Sequence, residues 1–141
     1  ALIDTTVLFA AAYRREGAHD TALPILRGID DGSLPEAVVL DYVLAETLNG
    51  LLTHAGHDAA VDLLDRLEEN VHFHIASLTA DGFTTAKALF RQHDTLSLVD
   101  ACIVAHMQAT DTAYLYAFDD DFDAVASVSR LDTAVNPYEP D

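Results

Sequence analysis

The sequence predicts an α/β fold built on a largely parallel sheet, and three observations lead there. Short apolar runs of strand length recur along the chain, at Ala1 to Asp4, Ala37 to Leu40, Val71 to Ile75 and Ala113 to Ala117. Between them lie longer segments whose apolar residues follow the helical period, and strands joined through helices pair in parallel. The chain has 141 residues, 50% of them hydrophobic, which is enough for one real core and too few for two ordinary domains. One domain over residues 1–135 is expected, with residues 136–141 as a tail.

Ala1 to Asp4 reads as a buried strand that feeds a helix through Thr5-Thr6-Val7-Leu8-Phe9-Ala10, capped by Asp4 or Thr5. That places Asp4 at a strand's carboxyl end. A second helix is predicted over Ala18 to Gly28, after which Asp30-Asp31-Gly32-Ser33 turns the chain into the strand Ala37 to Leu40. Asp41 stands where it can cap the next helix. On that helix Leu44, Leu48, Leu51 and Leu52 form an apolar stripe, and Glu46 falls on another face with Tyr42, Val43, Asn49 and Gly50. Gly50 inside a helix costs about 1 kcal/mol against alanine, which a close backbone approach beside Glu46 would explain.

His57 to Asn70 repeats the helical period through Val61, Leu64 and Leu67, Val71 to Ile75 alternates like a strand, and Thr79 to Gln92 gives another helix. Ser97 through Gln108 is nearly apolar all round, the mark of a helix buried within the molecule, and Asp100 is its only acid. After the strand Ala113 to Ala117, the acids Asp119, Asp120, Asp121 and Asp123 open a short helical segment, and Leu131 to Val135 is expected as a final edge strand.

Twenty-four acids face seven bases, and Lys87 is the only lysine. A low-salt nucleic-acid binder has the opposite balance. Acids spread along the whole chain with almost no lysine fit a halophilic protein in a saline cytosol, where the Debye length shrinks to about 3 Å at 1 M salt and acidic self-repulsion is screened. A cationic partner is the competing explanation. Under the halophile reading, the net charge of −17 does not exclude a polyanionic substrate. Uncharged stretches such as Ala101 to Thr110 fall well short of the roughly 20 apolar residues that a membrane span requires. No basic segment followed by an apolar one suggests a signal peptide. The single cysteine, Cys102, reads as core filler and cannot form an intrachain disulfide, in line with a cytoplasmic protein.

Four carboxylates stand among aliphatic neighbours: Asp4, Glu46, Asp100 and Asp119. An acid in such company must be paired, protonated or holding a cation. In a parallel sheet the strand carboxyl ends share one edge, and ligands collect there at the topological switch point. Asp4 and Asp119 both follow strands, while Asp100 in the first turn of a buried helix and Glu46 on a helix after a strand can reach the same edge. Clustered carboxylates cannot all stay ionised alone, and one or two divalent cations relieve this. All-oxygen ligation selects Mg²⁺ or Mn²⁺, which bind phosphate oxygens readily, and such a centre suits phosphodiester hydrolysis. Each acid taken singly has a plainer reading, Asp4 and Asp119 as helix caps, Ser97-x-x-Asp100 as a capping box and Glu46 as a solvated helix residue. Only their combination points to a metal.

The order and setting of these residues resemble the PIN-domain family, in particular its VapC-type ribonuclease toxins. The matching pieces are Leu2-Ile3-Asp4-Thr5-Thr6-Val7-Leu8, Ala45-Glu46-Thr47-Leu48, Leu96-Ser97-Leu98-Val99-Asp100-Ala101 and Phe118-Asp119-Asp120-Asp121-Phe122, spread over nearly the whole chain. The resemblance implies a three-layer α/β/α sandwich with a central, mostly parallel sheet. It also implies an endoribonuclease toxin dependent on Mg²⁺, with Mn²⁺ as substitute, that cuts RNA, forms a homodimer and has a small antitoxin protein as partner. Asp4, Glu46, Asp100 and Asp119 become the acidic quartet, the three aspartates ligating the metal and Glu46 acting as a ligand or as the base that orients water. Asp121 competes with Asp119 for the last ligand position, and Asp119 is preferred, with Asp121 supporting it. Phe118 departs from the pattern, since many relatives carry Ser or Thr there. Thr5 is the hydroxyl best placed to touch a phosphate or a water at the metal.

Arg14-Arg15 is the densest basic spot in the chain, either a hold on RNA phosphates or an ordinary surface pair. His72 and His74 share one strand face without a further transition-metal ligand nearby in sequence, which favours a solvated or packed role. The alternative to a nuclease is a catalytically silent PIN-like subunit for RNA processing or binding, which would bind cations without cleaving RNA. A receiver-type signalling domain fits less well, because Lys87 follows no late strand and no paired acids close the first one.

Overall fold

Five strands, β1 (Leu2–Ile3), β2 (Ala37–Leu40), β3 (Phe73–Ala76), β4 (Tyr114–Tyr116) and β5 (Ser129–Leu131), form one sheet in the computed structural model, which describes residues 1–139. Their order in space is β3-β2-β1-β4-β5 and every neighbouring pair is parallel. Six helices flank the sheet: α1 (Thr5–Ala12), α2 (His19–Asp30), α3 (Asp41–Ala55), α4 (His57–Glu69), α5 (Ala80–Gln92) and α6 (Leu98–Ala109). One turn of 3₁₀ helix covers Asp120–Ala124. This is the α/β/α sandwich expected from the sequence, with a sheet that is parallel throughout.

The topology positions everything that follows. The chain starts in the central strand, steps outward through β2 to β3, and then returns to lay β4 on the other side of β1. Strand order therefore reverses between β1 and β4, the place where a parallel sheet opens a crevice at its carboxyl edge. The register is tight, Leu2 pairing with both Val38 and Leu115, and Ile3 with Tyr116. Leu8, Ile25, Leu51, Leu67, Ile103 and Phe122 are fully buried around this sheet. In α6 every residue from Asp100 to Ala105 is buried, as its unbroken apolar run predicts, and Cys102 is a buried free thiol. Among the described residues, no helix is long and apolar enough to cross a membrane.

Several local expectations are corrected. The edge strand is Ser129–Leu131 and not Leu131 to Val135, because β4 pairs with the earlier residues through Ser129 N–H to Ala113 O (2.8 Å) and Ala117 N–H to Leu131 O (3.0 Å). Beyond Leu131 the chain folds back: Tyr116 Oη donates to Val135 O (2.7 Å) and Asn136 Nδ2 to Ser33 O (3.2 Å). The segment expected as a tail thus begins packed, and its last two residues, Pro140 and Asp141, lie outside the described residues.

On α3 the buried face is Val43, Thr47 and Leu51, while Leu52 is 51% exposed. On α4 it is Ala60, Leu63 and Leu67, with Val61 on the exposed side. Leu51 and Leu67 are buried as expected, and the rest of each buried face is displaced by one position, because adjacent helix residues lie about 100° apart and sequence alone does not say which edge of a wide apolar arc meets the neighbour. Helix α2 runs past Gly28 to Asp30, and the turn falls where the sequence placed it, with Gly32 at φ 82°. Asp41 begins α3 without capping it: Leu40 holds the cap position, and the Asp41 carboxylate accepts from Leu78 N–H (3.3 Å) ahead of α5. At Gly50 the close neighbour is the Phe9 ring of α1, which a Cβ would meet at 3.4 Å, and not a backbone.

Candidate metal centre

Asp4 is built into the end of β1. Its N–H donates to Tyr116 O (2.9 Å), carrying the β1–β4 ladder one residue past the strand. Its extended backbone (φ −90°, ψ 160°) makes it the N-cap of α1, and Oδ2 accepts from Thr6 N–H at 3.4 Å and from the Thr6 hydroxyl at 2.7 Å. Thr6 Oγ1 in turn accepts from Phe118 N–H (3.1 Å). A relay of Phe118 N–H, Thr6 hydroxyl and Asp4 carboxylate therefore locks the end of β1 to the segment leaving β4. Asp4 is only 2% exposed. Burial pushes its carboxyl above the usual range, the Thr6 hydrogen bonds oppose this, and the charge of Glu46 adds to the rise.

Asp100 occupies the first turn of α6 in a complete capping box: Asp100 N–H donates to Ser97 Oγ (3.1 Å), and Ser97 N–H donates to Asp100 Oδ2 (3.2 Å). The plainer reading of Ser97-x-x-Asp100 is thus correct about the cap, yet incomplete. The carboxyl is pushed up to about 7, first by burial, then by the charge of Asp4, with Asp119 contributing as well. Asp100 thus feels the charges of both strand-end aspartates, and Asp4 also feels Glu46. Glu46 itself is exposed on α3, its neighbour Thr47 being the buried residue.

Asp119 caps the 3₁₀ turn after β4, its Oδ1 accepting from Asp121 N–H (2.9 Å). Asp119, Asp120 and Asp121 each offer a carboxylate oxygen, all within 4.8 Å of one another. The charge of Asp119 raises the Asp121 carboxyl. Thr5 Oγ1 is buried with no hydrogen-bond partner. Arg14 and Arg15 are exposed on the loop after α1. His72 and His74 stand by β3, where both face Glu36, His74 Nε2 at 3.2 Å and His72 Nδ1 at 3.9 Å.

Three features of these residues fit a hard divalent cation. Among the described residues no ion pair involves Asp4, Glu46, Asp100 or Asp119, so no positive charge offsets the burial and, after it, the neighbouring acids that raise the Asp4 and Asp100 carboxyls. The donors are all oxygen, the set that suits Mg²⁺ and Mn²⁺. The Thr5 hydroxyl is buried without an acceptor, where hydroxyls normally find one. Thr6, which holds Asp4 in place, escaped the sequence reading. The available signal was a second hydroxyl two residues after a capping aspartate.

The sequence profile of the PIN domain family matches residues 1–128. A search of curated protein sequences finds no match. Among solved structures, VapC20 of Mycobacterium tuberculosis, a sarcin-ricin loop cleaving toxin, superposes with a TM-score of 0.79 at 29% identity, over 96% of this chain and 98% of its own. A toxin-antitoxin complex from Klebsiella pneumoniae gives 0.64 at 20% identity, over 96% and 98%. VapBC2 from Rickettsia felis, bound to a DNA fragment from its promoter, gives 0.69 at 16% identity, over 92% and 96%. The latter two speak to the fold alone.

Proposed function

From the premise that this chain belongs to the PIN-domain family, we propose that it is a Mg²⁺-dependent endoribonuclease, with Mn²⁺ as substitute, and the toxin of a toxin-antitoxin pair. The observation that supports this reading most is Asp100, pushed up to about 7 by its burial and then by the charges of Asp4 and Asp119, the acids that follow β1 and β4 on either side of the switch point.

Asp4, Asp100 and Asp119 would hold the ion, with Asp121 supporting or replacing Asp119. Bound there, a divalent cation supplies an activated water and stabilises charge on the leaving oxygen. The chain's own contribution is mainly preorganisation. Thr6 and the α1 cap fix the Asp4 carboxylate, and the Ser97 capping box fixes Asp100, so little reorganisation remains when RNA arrives. Glu46, exposed on α3, serves either as a further ligand or as the base that orients and deprotonates water. The Thr5 hydroxyl is buried without a partner and would donate to a phosphate oxygen that reached it, and Arg14 and Arg15 lie on an open loop where they can hold the RNA backbone.

A cognate antitoxin as partner belongs to the same proposal, in line with the likeness to VapC20, itself a toxin. A homodimer and a cytoplasmic, saline setting complete the proposal, the latter supported by the net charge of −17. We assign the nuclease domain to residues 1–135. Purified protein incubated with total RNA in molar KCl and Mg²⁺ or Mn²⁺ tests the reading: cleavage is expected, and it should vanish with EDTA and in Asp100→Asn. Cation binding without any RNA cleavage would establish the silent subunit instead.

A further inference from the structure

Next to the acids lies a cleft of about 420 Å³, lined by Thr5, Phe9, Glu16, Ala18, Phe118 and Asp119 among others. We propose that this cleft receives one base of the RNA beside the scissile phosphate, and that Glu16 makes it selective for guanine. The inference rests on the ribonuclease reading and adds a specificity subsite to it.

Its volume falls within the range of small-ligand pockets, and its walls suit a flat aromatic ring. Phe9 comes from α1 and Phe118 from the segment after β4, and both are only partly buried, leaving ring surface open to the cleft. Neither is free to collapse inward. The Phe9 ring is held by Tyr13 and His54, with centroids 5.3 Å and 5.7 Å away, and the Phe118 backbone is tied to Thr6 (3.1 Å). Phenyl rings lining one cleft offer a stacking surface to any base, and stacking of this kind changes affinity by roughly 5- to 100-fold per base.

Position then ties the cleft to the chemistry. Asp119 belongs to both the cleft and the candidate metal centre, so a phosphate bound through a cation at the acids would bring its attached nucleoside to the mouth of the cleft. Selectivity comes from Glu16. Among the described residues its carboxylate makes no hydrogen bond or ion pair, and it faces the cleft from the α1–α2 loop. An ionised carboxylate only accepts, through two oxygens side by side. Guanine alone offers two adjacent donors on its Watson–Crick edge, N1–H and the N2 amino group, whereas adenine, cytosine and uracil each set one donor beside an acceptor.

Mononucleotides contain no internucleotide bond to cut, so binding is read in the presence of Mg²⁺ by titrating wild-type protein with the four ribonucleoside 5′-monophosphates and following the Phe9 and Phe118 ring resonances by NMR. The phosphate contribution is common to all four. GMP is expected to bind about 10-fold more tightly than the others, a difference of one good base contact, and Glu16→Gln should erase that preference while Phe118→Ser weakens all four. Glu16 is exposed, so its substitution does not threaten folding. Sequencing the cut sites in a random RNA pool should show guanine at a fixed place beside the cut, lost in Glu16→Gln. Equal binding of the four nucleotides, or a guanine preference that survives Glu16→Gln, overturns the subsite even if RNA is cleaved. Absence of cleavage by wild type combined with Glu16-dependent GMP binding overturns the ribonuclease reading and leaves the cleft a guanine site.

Discussion

The two strands that flank the switch point deliver their acids in opposite ways. After β1, Asp4 is 2% exposed, its backbone paired to Tyr116 and its carboxylate gripped by Thr6. After β4, Asp119, Asp120 and Asp121 crowd one 3₁₀ turn on the more open side of the site. That turn is anchored at its flanks, before the acids by Phe118 N–H to Thr6 (3.1 Å) and beyond them by Phe122 in the core and by the bidentate pair of Arg130 with Asp123 (2.9 Å and 3.1 Å). The difference follows from the cost of burying charge. A carboxylate can be held out of water only where donors already point at it, which a helix cap provides. Asp4 and Asp100 belong to helix caps and are buried, so in the proposed centre they would fix where a cation sits. The acids after β4 add charge that can shift to complete the site.

The largest effect should fall on the fixed side. Asp4→Asn keeps the cap of α1, since Asn caps as well as Asp, and Asp100→Asn leaves Ser97 as the cap of α6, so each removes chiefly the charge. RNA cleavage is expected to drop on the order of 10³-fold for either, the scale seen when a preorganised electrostatic contact is lost. Metal-free stability should respond as well. The folded protein holds the Asp100 proton up to about 7, whereas an unfolded aspartate releases it near roughly 3.9. Acid therefore favours the folded state: the contribution is complete below about pH 4 and is lost as pH rises towards 7. Urea unfolding of EDTA-treated protein across that window should show stability falling with pH, with a flatter profile in Asp100→Asn. A steeper profile in the variant would remove Asp100 from the fixed side.

An intermediate effect tests what joins the two sides. Thr6→Val removes the acceptor for Phe118 N–H and the hydroxyl donor to Asp4 in one change. The stranded N–H costs about 1–3 kcal/mol, visible as a lower Tm, and the loosened ligand should lower cleavage roughly 10- to 100-fold. Thr6→Ser, which keeps the hydroxyl, should recover most of both. If Thr6→Val cleaves RNA like wild type, the relay is structural only and the rigidity of Asp4 comes from the cap.

The fixed side was also the legible side. Asp4 and Asp100 stand out because a charge amid Leu2-Ile3 or Val99-Ala101-Cys102 breaks a buried pattern, and α6 could be read as an interior helix for the same reason. Thr6 was not legible, since its partner Phe118 is 112 positions away and nothing local marks the pairing. Neither was β5: Ser129-Arg130-Leu131 lacks a strand pattern and becomes a strand only because the edge of β4 is there to pair with it. The leucines of α3 illustrate a third limit. Leu52 matches the helical period as well as Val43 does, yet only packing against neighbouring helices decides which is buried. Glu46 is the mixed case, exposed like any surface acid and distinguished only by its effect on Asp4.

The smallest effect should separate the adjustable acids from one another. Asp119 Oδ1 accepts from Asp121 N–H, which leaves its second oxygen uncommitted and fixes the carboxylate relative to the turn. Asp119 also contributes to the charge felt by Asp100, and Asp121 does not appear among the groups that raise it. Asp119→Asn preserves the cap and should raise the Mn²⁺ concentration needed for half-maximal cleavage by about 10-fold, whereas Asp121→Asn should change it by less than about 3-fold, an effect on a supporting group. Because Asp121 is raised by its neighbour's charge, Asp119→Asn should also bring the Asp121 carboxyl back towards the ordinary range, measurable by NMR titration. That recovery would let Asp121 stand in for the missing ligand, and the double variant should then lose far more than the two single losses multiplied. Multiplicative losses would mean the two acids act independently, and a larger single effect at Asp121 would transfer the ligand position to it.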